Sequence, residues 1–141
     1  MKTVHLFTDG SCRGNPGPGG WAFLLRDVDT QGRRHERVES GAVPHTTNNR
    51  MELEAVIQGL AALREPCRVE LSTDSAYVLK RLNGGRARKN LDSVQRLQAA
   101  ATIHQVNPHD VRGHAGHPEN ERVDALAQQA ASTGVGRGPG G

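Results

Sequence analysis

Three strand-like stretches follow one another before any helical pattern begins, and this ordering restricts the fold more than any other feature of the chain. Residues 3–8 alternate as a strand does, with Val4 and Leu6 on one side and His5 and Phe7 on the other. Residues 21–26 read as a second strand, and residues 34–43 as a third that ends at Pro44. Between the first two lies Gly14-Asn15-Pro16-Gly17-Pro18-Gly19-Gly20, a composition that predicts a turn without regular structure. Asp29-Thr30-Gln31-Gly32 supplies a hairpin connection between the second and third. The chain therefore starts as a three-stranded meander.

The period then changes. Thr47-Asn48-Asn49 offers cap-type residues ahead of a helix over residues 50–63, whose apolar stripe is Leu53, Val56, Ile57, Leu60 and Leu63. A strand over 68–73 follows, with Val69 and Leu71 inward, then a short helix over 75–82 and another over 91–101. Residues 105–112 read as a strand that Pro108 confines to an edge or a bulge. Pro118 opens a last helix reaching residue 131, where a first-turn proline is tolerated. The order βββαβααβα predicts an α/β fold: a five-stranded mixed sheet, antiparallel meander plus parallel strands, flanked by about four helices. The 141 residues fit one domain, expected over 1–131. Residues 132–141 hold five Gly and one Pro and are expected to be a disordered tail.

Composition removes several classes. A single core of this length buries around two-thirds of the unfolded surface, so no staples are required. The two cysteines, Cys12 and Cys67, are too few for a disulfide scaffold and match no zinc spacing. No apolar run approaches the length of a membrane span, and the expectation is a cytoplasmic, soluble domain. The net charge of +3 is mild, but residues 80–90 carry Lys80, Arg81, Arg86, Arg88 and Lys89 with no acid. Such a run is either a solvated loop face or a patch facing phosphates.

Four carboxylates stand at informative places. Asp9 ends the first predicted strand and Asp74 the fourth, and in open α/β sheets sites are built at the carboxyl ends of strands. Each has an ordinary turn-and-cap reading too. Glu52 lies at the edge of its helix's apolar stripe, where it would lose hydration and need a partner or a metal. Asp124 flanks the stripe of Val123, Leu126, Ala127 and Ala130 in the same way. Two like charges about 4 Å apart repel by roughly 4 kcal/mol at an effective dielectric near 20. Convergence of all four is tolerable only if cations hold them. An all-oxygen donor set selects hard ions, Mg2+ or Mn2+, and a pair of these clamps both oxygens of an in-line phosphoryl displacement.

Four motifs carry a resemblance: Phe7-Thr8-Asp9-Gly10-Ser11 with Gly14-Asn15-Pro16-Gly17; Thr46-Thr47-Asn48-Asn49-Arg50-Met51-Glu52; Ser72-Thr73-Asp74-Ser75; and Gly113-His114-Ala115-Gly116-His117-Pro118-Glu119-Asn120-Glu121-Arg122 through Asp124. In this order and spacing the chain resembles ribonuclease H type 1, from Lys2 to about Ala131. The resemblance implies Asp9, Glu52, Asp74 and Asp124 as catalytic metal ligands for two ions. It implies His114 as a mobile histidine aiding proton transfer or product release. It implies hydrolysis of the RNA strand of RNA–DNA hybrids, leaving 5′-phosphate and 3′-hydroxyl ends. Asn15, Asn48, Asn49 and the backbone at Cys12 resemble positions touching the hybrid's minor groove, and Thr47 one that holds a DNA phosphate; the asparagine pair also reads as a helix cap.

The chain departs from that pattern where many members carry a basic, Trp-rich insertion. Only residues 83–90 stand there, and Trp21 is the one tryptophan. Arg86, Arg88 and Lys89 are therefore expected to carry backbone contacts, and an unidentified protein partner could replace the missing handle. Ala76 and His45 stand where the family often has a polar residue and an Arg. The expected state is a monomer. Two rival readings are a catalytically weak hybrid-binding module and another nuclease of the same fold, such as a junction resolvase.

Overall fold

The computed structural model describes residues 1–112 and 117–138. Its elements are β1 (Lys2–Cys12), β2 (Gly17–Val28), β3 (Arg34–Thr46), α1 (Asn48–Ala61), β4 (Cys67–Thr73), α2 (Ala76–Leu82), α3 (Leu91–Ile103), β5 (Gln105–Asp110) and α4 (Pro118–Thr133). The strands form one sheet in the order β3-β2-β1-β4-β5. The meander β1-β2-β3 is antiparallel, whereas β4 and β5 join parallel to β1. This is the mixed α/β sheet that the two periodicities predict, and Pro108 does sit in an edge strand.

Alternation along the strands divides the core in two. Val4, Leu6, Phe23, Leu25, Val69 and Leu71 point to the side covered by α1 and α3, against Leu53, Val56, Leu60 and Leu97. Ala22 and Leu24 face the other way, onto Val123 and Ala127 of α4. Leu53, Leu71 and Leu97 are fully buried, and truncating such a leucine to alanine costs about 2–5 kcal/mol. No helix among the described residues is long and apolar enough to cross a membrane.

Two segments differ from the pattern-based expectation. Gly17 to Gly20 are part of β2 rather than an irregular turn: Gly19 pairs with Cys12 and Val43, and Gly20 with Ser11 and Ala42. Their lack of side chains is a packing requirement. A Cβ on Gly20 would lie 2.7 Å from the Ala131 amide nitrogen, and one on Gly19 2.8 Å from Met51 Cγ. The register slips between Gly17 and Gly19, where Pro44 and His45 of β3 bulge opposite the single Pro18, and β3 continues to Thr46. At the other terminus α4 runs to Thr133 and ends on Gly134 at φ 72. Beyond it Arg137 is tied to β3, its carbonyl accepting from the Ser40 amide at 2.8 Å and its amide donating to Ser40 Oγ at 2.9 Å. The first part of the expected disordered tail is thus helix and a pinned strap.

His104, at the end of α3, accepts a hydrogen bond at Nδ1 from the Cys67 amide, 3.0 Å away. Burial pushes its pKa below the usual 6.5. The unfolded chain therefore takes up that proton first. The stabilising contribution is whole above pH 6.5 and declines as pH falls through 6.5 toward the lower folded value. Urea unfolding at pH 7.5 and 5.5 is expected to show a steeper acid loss in the wild type than in His104→Asn, which keeps an acceptor without titrating. Equal losses would show that the imidazole does not titrate with folding.

Candidate active site

The site is built where α1 meets β1. Asp9 lies inside β1, paired with Ala22 of β2, because β1 continues to Cys12 on its β2 side after its pairing with β4 stops at Phe7 and Ser72. Asp9 therefore does not end the strand, as the glycine after it suggests. Gly10 instead lets the first turn of α1 rest directly on β1: a Cβ there would fall within the Met51–Glu52 peptide. Its amide donates both to Asp9 Oδ1, at 2.9 Å, and to Glu52 Oε1. Thr47 caps α1, its hydroxyl accepting from the Arg50 amide at 3.3 Å, so Glu52 follows little more than one turn into the helix.

Asp74 follows the last residue of β4, beside β1. Its peptide is held by neighbours: the Ser75 amide donates to Thr73 Oγ1 at 3.1 Å, and Ser75 Oγ caps α2 by accepting from the Val78 amide at 3.1 Å. The Ser75 side chain also hydrogen-bonds Glu52. Asp9, Glu52 and Asp74 each offer a carboxylate oxygen within 4.8 Å of the other two. Asp9 and Glu52 are each 7% exposed, whereas Asp74 opens to solvent. Asp124 of α4 joins from the far side, hydrogen-bonded to Asp9 and held at Oδ2 by the Gln128 amide group at 2.9 Å. It is exposed and stands outside the close trio.

The electrostatics are those of a site short of positive charge. Burial raises the pKa of Asp9 first, and the Glu52 charge and the carboxylates of Asp124 and Asp74 raise it further. Burial also raises Glu52, opposed by hydrogen bonds from Asp9, Gly10 and Ser75. Asp74 is raised by burial and then by the charges of Asp124 and Asp110. The contact between the two raises Asp9 and lowers Glu52, so Asp9 is the acid of the pair that favours the proton. Were two of these groups ionised 4.8 Å apart, they would repel by roughly 3.5 kcal/mol at an effective dielectric near 20. The donor set, all oxygen and mostly anionic, fits hard divalent cations.

The other expected residues fall into two groups. Cys12 ends β1 with its Sγ against the carbonyls of Gly14, at 2.8 Å, and Thr46, at 3.4 Å. Asn15 Oδ1 accepts from the Asn48 amide at 3.0 Å, so Cys12, Asn15, Thr47 and Asn48 gather at the start of α1. Thr47 makes the cap, which leaves the exposed Asn48 and Asn49 side chains available. Arg86, Arg88 and Lys89 are exposed on the loop between α2 and α3. That loop is folded back by Arg81, which lies 5.1 Å over Tyr77 and donates to the Arg86 carbonyl at 2.8 Å. No hydrogen bond or ion pair among the described residues joins the loop to the carboxylates. His114 lies outside the described residues. Sequence reasoning missed Gly10 and Ser75 as supports of Glu52; the glycine beside a strand acid was the one signal.

A family model described as RNase H matches residues 1–132. The chain is 52% identical to a ribonuclease H of Nitratidesulfovibrio vulgaris, covering 96% of this chain and 94% of that one. It is 50% identical to a ribonuclease H of Thermus thermophilus, covering 94% and 86%. Among solved structures it is similar to LC9-RNase H1, described as a type 1 RNase H with the type 2 active-site motif, at TM-score 0.83 and 31% identity, covering 99% of this chain and 79% of that one. It is also similar to RNase H1 of the archaeon Halobacterium salinarum, at TM-score 0.69 and 30% identity, covering 92% and 98%.

The raised carboxylates set a sign for stability. Above pH 3.8, the ordinary value for Asp9, the unfolded chain releases a proton that the folded chain retains, so raising the pH through the folded value destabilises the cation-free protein. In chelator, Tm is expected to fall between pH 5 and 9 more steeply in the wild type than in Asp9→Asn, and the variant is expected to melt higher at pH 8. Parallel profiles would contradict the raised Asp9 carboxyl.

Proposed function

The chain belongs to the ribonuclease H family, and from that membership and the carboxylate geometry we propose that Asp9, Glu52, Asp74 and Asp124 are its catalytic acids, holding two Mg2+ or Mn2+ ions when substrate is present. The protein is an endonuclease of RNA–DNA hybrids, dependent on divalent metal. The observation carrying the assignment is the convergence of Asp9, Glu52 and Asp74 within 4.8 Å, two of them buried. Nothing in hybrid binding alone calls for such a cluster. The identities of about 50% with ribonucleases H over nearly the full chain set aside a junction resolvase.

Bound there, divalent ions supply the missing positive charge, polarise the scissile phosphate and make water a nucleophile near neutral pH. The chain's own residues do the placing. Asp9 and Glu52 are rigid, because the Gly10 amide and Ser75 fix their oxygens. Asp74, open to solvent, is the acid of the trio most accessible to an incoming phosphodiester. Asp9, raised by burial and by its neighbours, would have to give up its proton for the site to carry full negative charge. His114 is assigned, from the family resemblance, to proton transfer or product release. The products are then 5′-phosphate and 3′-hydroxyl ends.

Recognition is assigned to the group at the start of α1. Asn15, Asn48, Asn49 and the Cys12 backbone offer short amides and peptide groups to a shallow groove in which the 2′-hydroxyl marks the RNA strand. Thr47 is assigned to a phosphate of the DNA strand. Arg86, Arg88 and Lys89, exposed on an ordered loop, are assigned to backbone phosphates in place of a larger basic insertion.

Cleavage of a labelled hybrid is expected only with Mg2+ or Mn2+, with Asp9→Asn and Asp74→Asn losing turnover while retaining hybrid binding. Wild-type rates in either would end the assignment. Neutralising Arg86, Arg88 and Lys89 together is expected to flatten the dependence of log K on log salt by up to about 0.9 per lost phosphate contact. An unchanged slope would remove the loop from the binding surface.

A further inference from the structure

Helix α4 packs on the sheet mainly through small side chains, with Leu24 and the partly buried Phe7, Val38 and Leu126 filling the rest of the contact. Its buried residues are Val123, Ala127, Ala130 and Ala131. They follow alternate positions of β2: Gly20 abuts Ala127, Ala130 and Ala131, and Ala22 and Leu24 pack with Val123 and Ala127. Small side chains against glycine and alanine allow close approach but offer few ridges and grooves to resist sliding along the helix axis. A slip of one residue moves every side chain of α4 by about 1.5 Å. Asp124 is next to Val123, and Asp9 is paired with Ala22. Their separation therefore depends on the axial position of α4.

The next alternate residue of β2 after Leu24 is Arg26, and it closes the series. Its Nη1 donates to Glu119 Oε1 at 2.9 Å, in the first turn of α4, and its Nε to Glu36 Oε2 of β3 at 2.7 Å. Arg122 of α4 reaches the other Glu36 oxygen at 3.8 Å. Glu119, Arg26, Glu36 and Arg122 thus form a chain of alternating charge joining α4 to two strands. The Arg26 guanidinium lies 5.6 Å over the Phe7 ring of β1, and its side chain is only 20% exposed. An arginine fixed between two carboxylates and an aromatic face is held in position, unlike an isolated surface pair.

We propose that Arg26 is a positioning residue for the reaction, which, by holding Glu119, sets where α4 stands along β2 and so keeps Asp124 against Asp9. The proposal rests on the assignment of Asp124 as a catalytic acid. Arg26 touches neither substrate nor metal. Its effect passes through the helix.

The test uses the full chain at 25 °C with folding verified by circular dichroism. It compares Arg26→Met, which keeps the stack on Phe7 but not the charge, with Arg26→Lys, Glu119→Gln, the Arg26→Met/Glu119→Gln double variant and Asp124→Asn. Arg26→Met and Glu119→Gln are expected to lower kcat on a hybrid by about 10- to 100-fold, the scale of misplacing a group by an ångström. KM is expected to hold, and the rise in Tm on adding Mg2+ without substrate to shrink. Arg26→Lys should recover part of both, and the double variant should lose no more than the worse single one. If Arg26→Met does not fold, Glu119→Gln and Arg26→Lys carry the same test. A lower Tm with kcat and the Mg2+-induced rise unchanged would reduce Arg26 to a structural residue, and a raised KM at constant kcat would make it a substrate contact; either overturns the proposal. Full turnover in Asp124→Asn would instead remove the assignment beneath it.

Discussion

Everything in this molecule accommodates the mutual repulsion of carboxylates brought together on the central strand. A carboxylate that is 7% exposed loses most of its hydration, and a second one beside it compounds the cost. The chain meets that cost in two ways without cations. One proton stays on Asp9, and the Gly10 amide donates to both buried acids. Gly10 can do so because nothing projects from it, so the peptide of Glu52 sits against the peptide of β1. The spacing of the two acids is thereby set by backbone contact and not by a choice of rotamers. Catalytic potential and fold stability pull against each other at this point.

The sheet supplies the remaining geometry. Parallel pairing of β1 with β4 puts Thr73 and the Asp74 that follows it beside the middle of β1. The antiparallel pairing of β1 with β2 carries the same strand further, so Asp9 is anchored on one side after it has been released on the other. This asymmetry leaves a notch next to Asp9, and α1 and α2 both start at its rim, one capped by Thr47 and the other by Ser75. The residues proposed for recognition and for reaction therefore share a single helix start: Asn48 and Asn49 open α1, and Glu52 lies one turn on.

How much of this could be read in the residues follows from the range of the forces involved. The element order was legible because periods of two and of three to four recur locally, and Glu52 betrayed its burial by lying at the edge of an apolar stripe. Pro108 announced an edge strand for an equally local reason, its missing donor. What escaped is non-local. Gly19 and Gly20 look like loop residues until Met51 and α4 are packed on them, when a side chain has no room. Asp9 looks like a strand end because the glycine after it is common in turns, although that glycine serves α1. The tie between Arg137 and Ser40 spans 97 residues and rests on two backbone amides, a carbonyl and one hydroxyl, which leave no mark in composition. The chain of ion pairs through Glu119, Arg26, Glu36 and Arg122 has the same character: each residue alone is an ordinary surface charge.

One consequence follows from the order in which the acids lie along the chain. Asp9, Glu52 and Asp74 precede α4, and the surface of β2 around Ala22 and Leu24 is covered by Val123 and Ala127 of that helix. A chain stopped short of α4 would lack one acid of the proposed set and expose that face of the sheet.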